Sequence, residues 1–340
     1  MKRFALIRTD RIGDLVLSLP VAEAIKEASP GSYIAFVVSP YNAAIARACT
    51  FVDDVIEYEE KADRPGGLVR LTRALRSGAF DAAVFMRPTL RAALAAALAG
   101  VPVRVGTAFR FYSLLFTHRV REHRKHAEKH ESQFNMGLIA SVLGPQRAGH
   151  RPRIEIDPAS RRFAEGVMRD LGLERRNFAL LHPGSGGSAR NLPPGGYAWL
   201  ADYIEGELGM KTVFTSGPGE GPLIERIDSL RGTQSLKVPG PAGLIDLAGL
   251  IENAAVFISG STGPMHIAAA VGTPTLSFFS PVRSTSPRRW APLTDRGRVL
   301  MPPVPECPTC IGEKCEYYDC MDLIERTAVR EAARALLKSP

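Results

Sequence analysis

Thr9-Asp10-Arg11-Ile12-Gly13-Asp14 follows directly on the apolar run Phe4–Ile7. A glycine there lets the chain turn sharply from a strand into a helix. Asp14 then falls in the first helical turn, at the rim where the strand ends. A helix N-terminus favours the ionised carboxylate and is expected to lower its pKa. Such a carboxylate could take the proton of an attacking hydroxyl. The alternative is a plain helix cap, because Asp is a favoured capping residue. The Gly-x-Gly-x-x-Gly spacing of a dinucleotide fingerprint is absent.

A second set of residues suits an anionic ligand. His182-Pro183-Gly184-Ser185-Gly186-Gly187-Ser188-Ala189-Arg190-Asn191 offers main-chain amides, hydroxyls and the guanidinium fork of Arg190. That combination fits a phosphate, although no Gly-Lys-Ser/Thr follows as in a P-loop. A ligand-free surface loop is the alternative. Ser259-Gly260-Ser261-Thr262-Gly263-Pro264-Met265-His266 places Ser261, Thr262 and the Gly263 amide at a helix start, an anion-binding position. Pro264 suits the first helical position. His266 falls in the first turn, as a ligand contact or a structural histidine. Together the two loops suggest a held diphosphate. Gly217-Pro218-Gly219-Glu220 adds a carboxylate that could bind ribose hydroxyls or lie in a solvated loop.

Cys307, Cys310, Cys315 and Cys320 fall within fourteen residues. Four thiolates can hold zinc, but the spacing does not form two Cys-x-x-Cys knuckles. These residues are weak metal candidates. Packing as free thiols and disulfide pairing are the other readings, the latter disfavoured in a reducing cytosol.

These groups need elements to position them. Short apolar runs alternate with helical stretches: strands at Phe4–Ile7, Tyr33–Val38 and Ala82–Met86, and a helix over Asp14–Ala28. The rhythm returns from Phe178 to Phe279, with the two loops each following a strand. Such alternation predicts an α/β protein with parallel sheets covered on both faces. Gly144–Pro152 breaks the pattern. We therefore expect two facing doubly wound, Rossmann-like domains with a cleft between them: an N-terminal acceptor domain over 1–157 and a C-terminal nucleotide-sugar domain over 158–340. The last helix, about 323–338, is expected to pack back on the first domain. The 340 residues are 45% hydrophobic and 23% charged, which excludes disorder over most of the chain. Asn253–Val282 carries no Asp, Glu, Lys or Arg, but its glycines, prolines and His266 argue against a membrane span. The N-terminal apolar run is too short for a signal peptide, so a cytoplasmic protein is expected. The net charge of +8, partly concentrated in His118–Lys129, suggests an anionic partner or a solvated basic surface. A zinc-stabilised nucleic-acid binder is disfavoured, because no aromatics interleave with that basic run, and no nucleic-acid partner is expected.

Ile7-Arg8-Thr9-Asp10-Arg11-Ile12-Gly13-Asp14 with Pro20 resembles the opening of the heptosyltransferases, glycosyltransferase family 9. Lys129-His130-Glu131, the Pro183-Gly184 loop, Ser261–His266, Gly272-Thr273-Pro274 and Cys320-Met321 match in order over nearly the whole chain. The resemblance implies the GT-B architecture and inverting transfer of heptose from ADP-heptose, as co-substrate, to an acidic inner-core lipopolysaccharide or related glycan acceptor. It implies no obligatory cofactor. Asp14 matches the general base. Arg190 matches the basic residue on the diphosphate. Ser185, Gly217, Glu220 (or Glu225), Ser261, Thr262, Gly263, Pro264, Met265 and His266 are donor-binding candidates. Thr9, Arg11, Gly13, Arg87 and Arg91 are acceptor-binding candidates, and peripheral contact with the inner face of the cytoplasmic membrane is a further expectation. The chain departs from well-known members at Ser261, where they carry Asp. That keeps open another nucleotide sugar, as well as an epimerase or hydrolase of the same architecture.

Overall fold

The computed structural model describes residues 2–60, 66–187, 189–239 and 243–338, and of Lys338 the backbone alone. Ser188 of the glycine-rich loop lies outside the described residues. The chain divides into two compact units, Met1–Glu155 and Ile156–Pro340.

The first unit carries β1 (Arg3–Ile7), β2 (Tyr33–Val38), β3 (Asp54–Glu57), β4 (Ala82–Phe85), β5 (Val103–Thr107) and β6 (His118–Val120). They form a parallel sheet in the order β3-β2-β1-β4-β5-β6. The second unit carries β7 (Phe178–His182), β8 (Lys211–Phe214), β9 (Leu236–Lys237), β10 (Val256–Gly260), β11 (Thr275–Phe278) and β12 (Gly297–Leu300). Its order, β12-β11-β10-β7-β8-β9, is the same winding read from the other edge. Both are doubly wound Rossmann-like sheets. In each, the strand order reverses beside the first strand, between β1 and β4 and between β7 and β10. Ligands of such sheets sit outside the carboxyl ends of the strands at that switch point.

Burial explains which strands the sequence announces. From Phe4 to Ile7, β1 is wholly buried, and β4, β7, β10 and β11 are buried throughout, so they read as unbroken apolar runs. The edge strands β3 and β12 are half-buried and carry charges, which conceals them. The basic run His118–Lys129 is neither a helix nor simple loop. It forms edge strand β6 and a 3-10 turn at Arg124–His126, with Arg124 paired to Glu131 and Lys129 to Glu122.

Two further expectations are corrected. The helix expected over Asp14–Ala28 is two helices, Ile12–Val16 and Pro20–Ala28. Pro20 has no amide hydrogen to continue the ladder. At the break, Ser18 Oγ donates to the Asp14 carbonyl at 2.7 Å, and Asn135 Nδ2 donates to the Leu17 carbonyl at 3.2 Å. The last helix, Arg326–Lys338, packs into the second unit against β11 and β12. Val329, Ala332, Ala333 and Leu336 join the core around Tyr197, Tyr203 and Phe278, while Arg330 and Arg334 reach out to Glu207. Its apolar stripe therefore has its partner within its own unit.

Leu336→Ala should lower the stability of the second unit by about 2 kcal/mol or more. Urea unfolding followed through Trp199 and Trp290 fluorescence measures this, and an unchanged midpoint would mean the helix is not part of that core.

Candidate active site

At the first switch point, β1 ends at Ile7 and the next residue is an arginine. Arg8 is 2% exposed. A guanidinium cannot lose its water without carboxylates in exchange, and three surround it. Arg8 Nε donates to Asp10 at 2.7 Å, Nη1 to Glu131 at 2.9 Å, and Nη2 to Asp14 in a short contact. Nη1 also reaches the Met86 carbonyl at 3.3 Å, just past the end of β4. Burial works against the Arg8 charge, but Asp10, Asp14 and Glu131 outweigh it and raise the pKa. Arg124 Nη1 donates to the same Glu131 oxygen, and its Nη2 to Asn135 Oδ1 at 3.0 Å.

Asp14 is therefore not a cap. The N-cap position of its short helix is Arg11, whose side chain makes no capping bond. The Asp14 carboxylate faces Arg8, and its pKa is raised to about 6. This reverses the direction expected from the helix terminus. Desolvation by burial is the largest cause. Arg8 opposes it, and the neighbouring Asp10 and Glu131 charges add to it. A carboxylate of this kind is ionised at neutral pH yet remains a competent base.

The other candidates of the first unit lie along the same rim. Gly13 is buried inside the helix Ile12–Val16 instead of making the expected turn, and Arg11 is exposed. Thr9 Oγ1 donates to Glu60 Oε2 at 2.7 Å, and Arg91 Nη1 reaches the Glu60 carbonyl at 3.5 Å. The Arg87 amide donates to the Ile7 carbonyl at 3.3 Å, beside Arg8. Asn42 Nδ2 fixes the Asp10 carbonyl at 2.7 Å. Sequence reasoning missed Arg8, Glu131, Asn135 and Glu60. A charged residue directly after an apolar strand was the available signal for Arg8. Glu131 and Asn135 stand well over a hundred residues away; Glu131 falls in the matching segment Lys129-His130-Glu131, but nothing in the sequence pairs either residue with Arg8.

The second switch point is built mainly from amides and small side chains. His182 closes β7, buried, with Nδ1 at 2.9 Å from Thr215 Oγ1. Desolvation lowers its pKa, with Glu220 opposing. Glu220 gathers the loops: Gly217 N donates to it at 2.7 Å and Gly186 N at 3.1 Å. Its carboxylate packs on Gly184 so closely that a Cβ there would displace it. Ser185 Oγ donates to the Ala189 carbonyl at 3.3 Å. Asn191 fastens the far end of the loop. Its Nδ2 donates to the Pro183 carbonyl at 2.6 Å, and its Oδ1 accepts from Tyr197 at 3.0 Å and packs against Gly260.

Beside it, the helix Gly263–Ala270 starts at the end of β10. Thr262 is its N-cap and accepts from the Met265 amide at 3.4 Å. Gly263 is the first helical residue and Pro264 the second, one later than expected. Met265 and His266 are buried in the first turn, and Ser261 is half-buried at its mouth. Glu225 faces away, lining a shallow depression of about 370 Å³ with Asp228 and Lys237.

Arg190 turns toward the cysteine segment. Its Nη1 donates to Cys310 Sγ at 3.4 Å and its Nη2 to Asp319 at 3.1 Å, and its guanidinium lies over Tyr318. The Gly312 amide, and next Arg190, lower the Cys310 pKa, whereas burial raises those of Cys307 and Cys320. All of these thiols, and that of Cys315, are free. Among the described residues no three His, Cys, Asp or Glu side chains converge as metal ligands.

Two Rossmann-like units, one presenting a largely buried carboxylate at its rim and the other a glycine-rich amide loop and a helix start, are compatible with a glycosyltransferase. The sequence profile of glycosyltransferase family 9 (heptosyltransferase) matches residues 68–319, and the chain belongs to that family. A Haemophilus influenzae protein whose name goes no further than glycosyltransferase is 30% identical over 305 residues, 87% of each chain. The lipopolysaccharide core heptosyltransferase OpsX of the same organism is 24% identical, over 88% of this chain and 84% of its own. Among solved structures, a family 9 glycosyltransferase from Veillonella parvula superposes with a TM-score of 0.86 at 23% identity, covering 99% of this chain and 97% of its own. The Escherichia coli ADP-heptose lipopolysaccharide heptosyltransferase II shares the fold at a TM-score of 0.76 and 20% identity, covering 99% and 98%. The family profile matches from residue 68 onward, so the geometry around Asp14 is an argument separate from it.

Arg8→Met leaves Asp10, Asp14 and Glu131 facing one another without their shared cation. Folding stability should fall by about 3–5 kcal/mol at pH 7. Carboxylates raised in this way are stabilising when protonated, so the deficit should shrink as pH falls toward 5 and grow as it rises. Urea melts at pH 5 and 8 measure it, and an equal loss at both would contradict the assigned charge cluster.

Proposed function

We propose that this chain transfers heptose from ADP-heptose to an acidic inner-core lipopolysaccharide or related glycan, with inversion at the anomeric carbon. The observation that carries the mechanism is Asp14: a carboxylate at the switch point of the first sheet, fixed by Arg8, with a pKa of about 6. In this reading Asp14 removes the proton of the acceptor hydroxyl as its oxygen attacks the anomeric carbon. The bond to the diphosphate breaks in the same displacement, and its electron pair leaves on the phosphate oxygen. Thr9, Arg11, Arg87 and Arg91 lie along the same rim, suited to an acidic acceptor.

The second rim takes the nucleotide sugar. Pro264 has no amide hydrogen and the Met265 amide is taken by Thr262. The Gly263 amide of that first turn is the one offered to the diphosphate, assisted by the helix dipole. Arg190 neutralises the charge that grows as the diphosphate departs. Glu220 already collects the Gly186 and Gly217 amides. In the donor complex it meets the ribose hydroxyls from that fixed position. The names of the relatives support the donor and acceptor classes: a solved Escherichia coli heptosyltransferase, WaaC, carries ADP, and OpsX is named for the lipopolysaccharide core.

A membrane-facing acceptor suits the surface of the first unit, and the enzyme is taken to work at the inner face of the cytoplasmic membrane. Phe111 is 80% exposed and Leu114 76%, in a 3-10 turn flanked by exposed Arg110, Arg119 and Arg121. Apolar tips in a basic surround fit an anionic lipid surface. No helix among the described residues is long and apolar enough to cross a membrane.

Asp14→Asn should reduce turnover by about 10²–10⁴-fold with ADP affinity held within about twofold of wild type. The wild-type rate should rise with pH through an ionisation near 6, since the base works only when ionised. Arg190→Ala should instead weaken ADP binding by about tenfold. Steady-state kinetics and calorimetric ADP titration separate the two roles. Full turnover by Asp14→Asn would remove the base, and release of free or epimerised sugar without acceptor would mark a hydrolase or epimerase.

Replacing both Phe111 and Leu114 by Ser should weaken binding to phosphatidylglycerol-containing vesicles by about tenfold and leave ADP binding unchanged. Vesicle flotation measures it, and undiminished binding would place the membrane contact elsewhere.

A further inference from the structure

We propose that Glu131 is a positioning residue for Asp14: it shares the Arg8 guanidinium with Asp14, so that the cation holds Asp14 in place without quenching it as a proton acceptor. The inference rests on the reading of Asp14 as the general base.

The difficulty it resolves is a general one. A carboxylate paired with a single arginine is held about one to three units below its ordinary pKa, which makes it a poor base. Asp14 accepts a bond from Arg8 and yet is not held low: burial opposes Arg8 most, and the charges of Asp10 and then Glu131 add to it. The geometry shows where the Arg8 charge goes. Glu131 is 0% exposed, the first residue of the helix Glu131–Leu143, and its Oε1 accepts from both Arg8 and Arg124. One turn further, Asn135 Oδ1 accepts from the same two arginines, at 3.4 and 3.0 Å. Its Nδ2 donates to the Leu17 carbonyl and, at 3.1 Å, to Ser18 Oγ, which itself donates to the Asp14 carbonyl. One helix face thus fixes both the cation beside Asp14 and the backbone that carries it.

The charge count gives the same answer. Among the described residues of the cluster, Arg8 and Arg124 stand against Asp10, Asp14 and Glu131, so two cations meet three carboxylates. One negative charge is left over. Glu131 holds two guanidinium bonds in a fully buried position, while the side chains of Asp14 and Asp10 are 16% and 17% exposed. The uncompensated charge therefore falls at the open side of the cluster, where an acceptor hydroxyl could reach it. The charged groups facing Asp14 are Arg8 from the end of β1, Asp10 from the following loop and Glu131 from its helix, with Arg124 behind Glu131. Removing the Glu131 charge makes the cluster neutral, turns Arg8 toward Asp14, and should make Asp14 more acidic and less basic.

The test follows the Asp14 carboxyl by ¹³C NMR titration, its resonance assigned by loss in Asp14→Asn, alongside kcat and KM against pH. Glu131→Gln should lower the Asp14 midpoint by about one pH unit. The acidic limb of kcat should move with it, and the plateau should drop by about tenfold while the donor KM stays within twofold. Glu131→Asp, which restores the charge, should bring the midpoint back toward wild type. Arg124→Gln, at a half-exposed side chain, should move it the other way, because Glu131 then draws wholly on Arg8. A midpoint unmoved in folded Glu131→Gln and in Arg124→Gln overturns the proposal, as does an activity loss that tracks lost folded protein with an unshifted limb. If the midpoint moves but Asp14→Asn keeps its turnover, the base reading falls and the electrostatic hold of Glu131 on Asp14 stands.

Discussion

Putting an arginine one residue past a buried strand imposes a condition that much of the first unit then meets. Arg8 has almost no contact with water, so its charge must be answered by protein groups. The strand itself cannot supply them. Asp10 comes from the turn, Asp14 from the helix that follows it, and Glu131 from a helix far along the chain. Arg124 and Asn135 complete the shell. The helix Glu131–Leu143 is thereby tied to the rim by charge as well as by packing. The same shell meets the break in the helix after β1: Asn135, which accepts from Arg8, also donates to the Leu17 carbonyl and the Ser18 hydroxyl.

The two rims solve opposite electrostatic problems with different materials. In the proposed mechanism the first must keep a carboxylate ionised yet basic inside the protein, by dividing one guanidinium among several acids. In the same mechanism the second would receive negative charge, with amides, a helix start and a tethered arginine. Its loops need glycine where the Glu220 carboxylate crosses Gly184 and where Asn191 meets Gly260, because a Cβ at either point would strike the side chain that locks the loop. Small residues here are a requirement of close backbone approach, the feature that lets main-chain donors surround an oxyanion. Arg190 is anchored by Cys310, Asp319 and Tyr318, so the cysteine segment orients the one guanidinium of that loop.

Much of this was legible from residue types. Central strands such as β1, β7 and β10 are buried on both faces, which forces continuous apolar runs, and the alternation of strands and helices fixed the parallel class. The helix start at Thr262 could be placed because Thr and Pro act locally, through capping and the missing amide, whereas Gly13 lies inside the helix Ile12–Val16 instead of in a turn. The edge strands β3, β6 and β12 were hidden, since a half-exposed edge tolerates charges that mimic loop sequence. The last helix showed its apolar stripe plainly, but a stripe does not say which core it will join. The direction of the Asp14 pKa was misjudged for the same reason: helix position is local, whereas desolvation and Arg8 belong to the assembled rim.

The sequence by itself determined the layered α/β class, the strand ends that carry Asp14, Gly184 and Ser261, and the chemical character of each loop, because these follow from neighbours within a few residues. Only the tertiary structure decided what those groups become. Glu131 and Asn135 reach Arg8 across more than a hundred residues, and Glu220 reaches the Gly186 amide across thirty-four. Coulombic and desolvation energies depend on distance in space and on the water displaced, and neither quantity is written in the order of the chain.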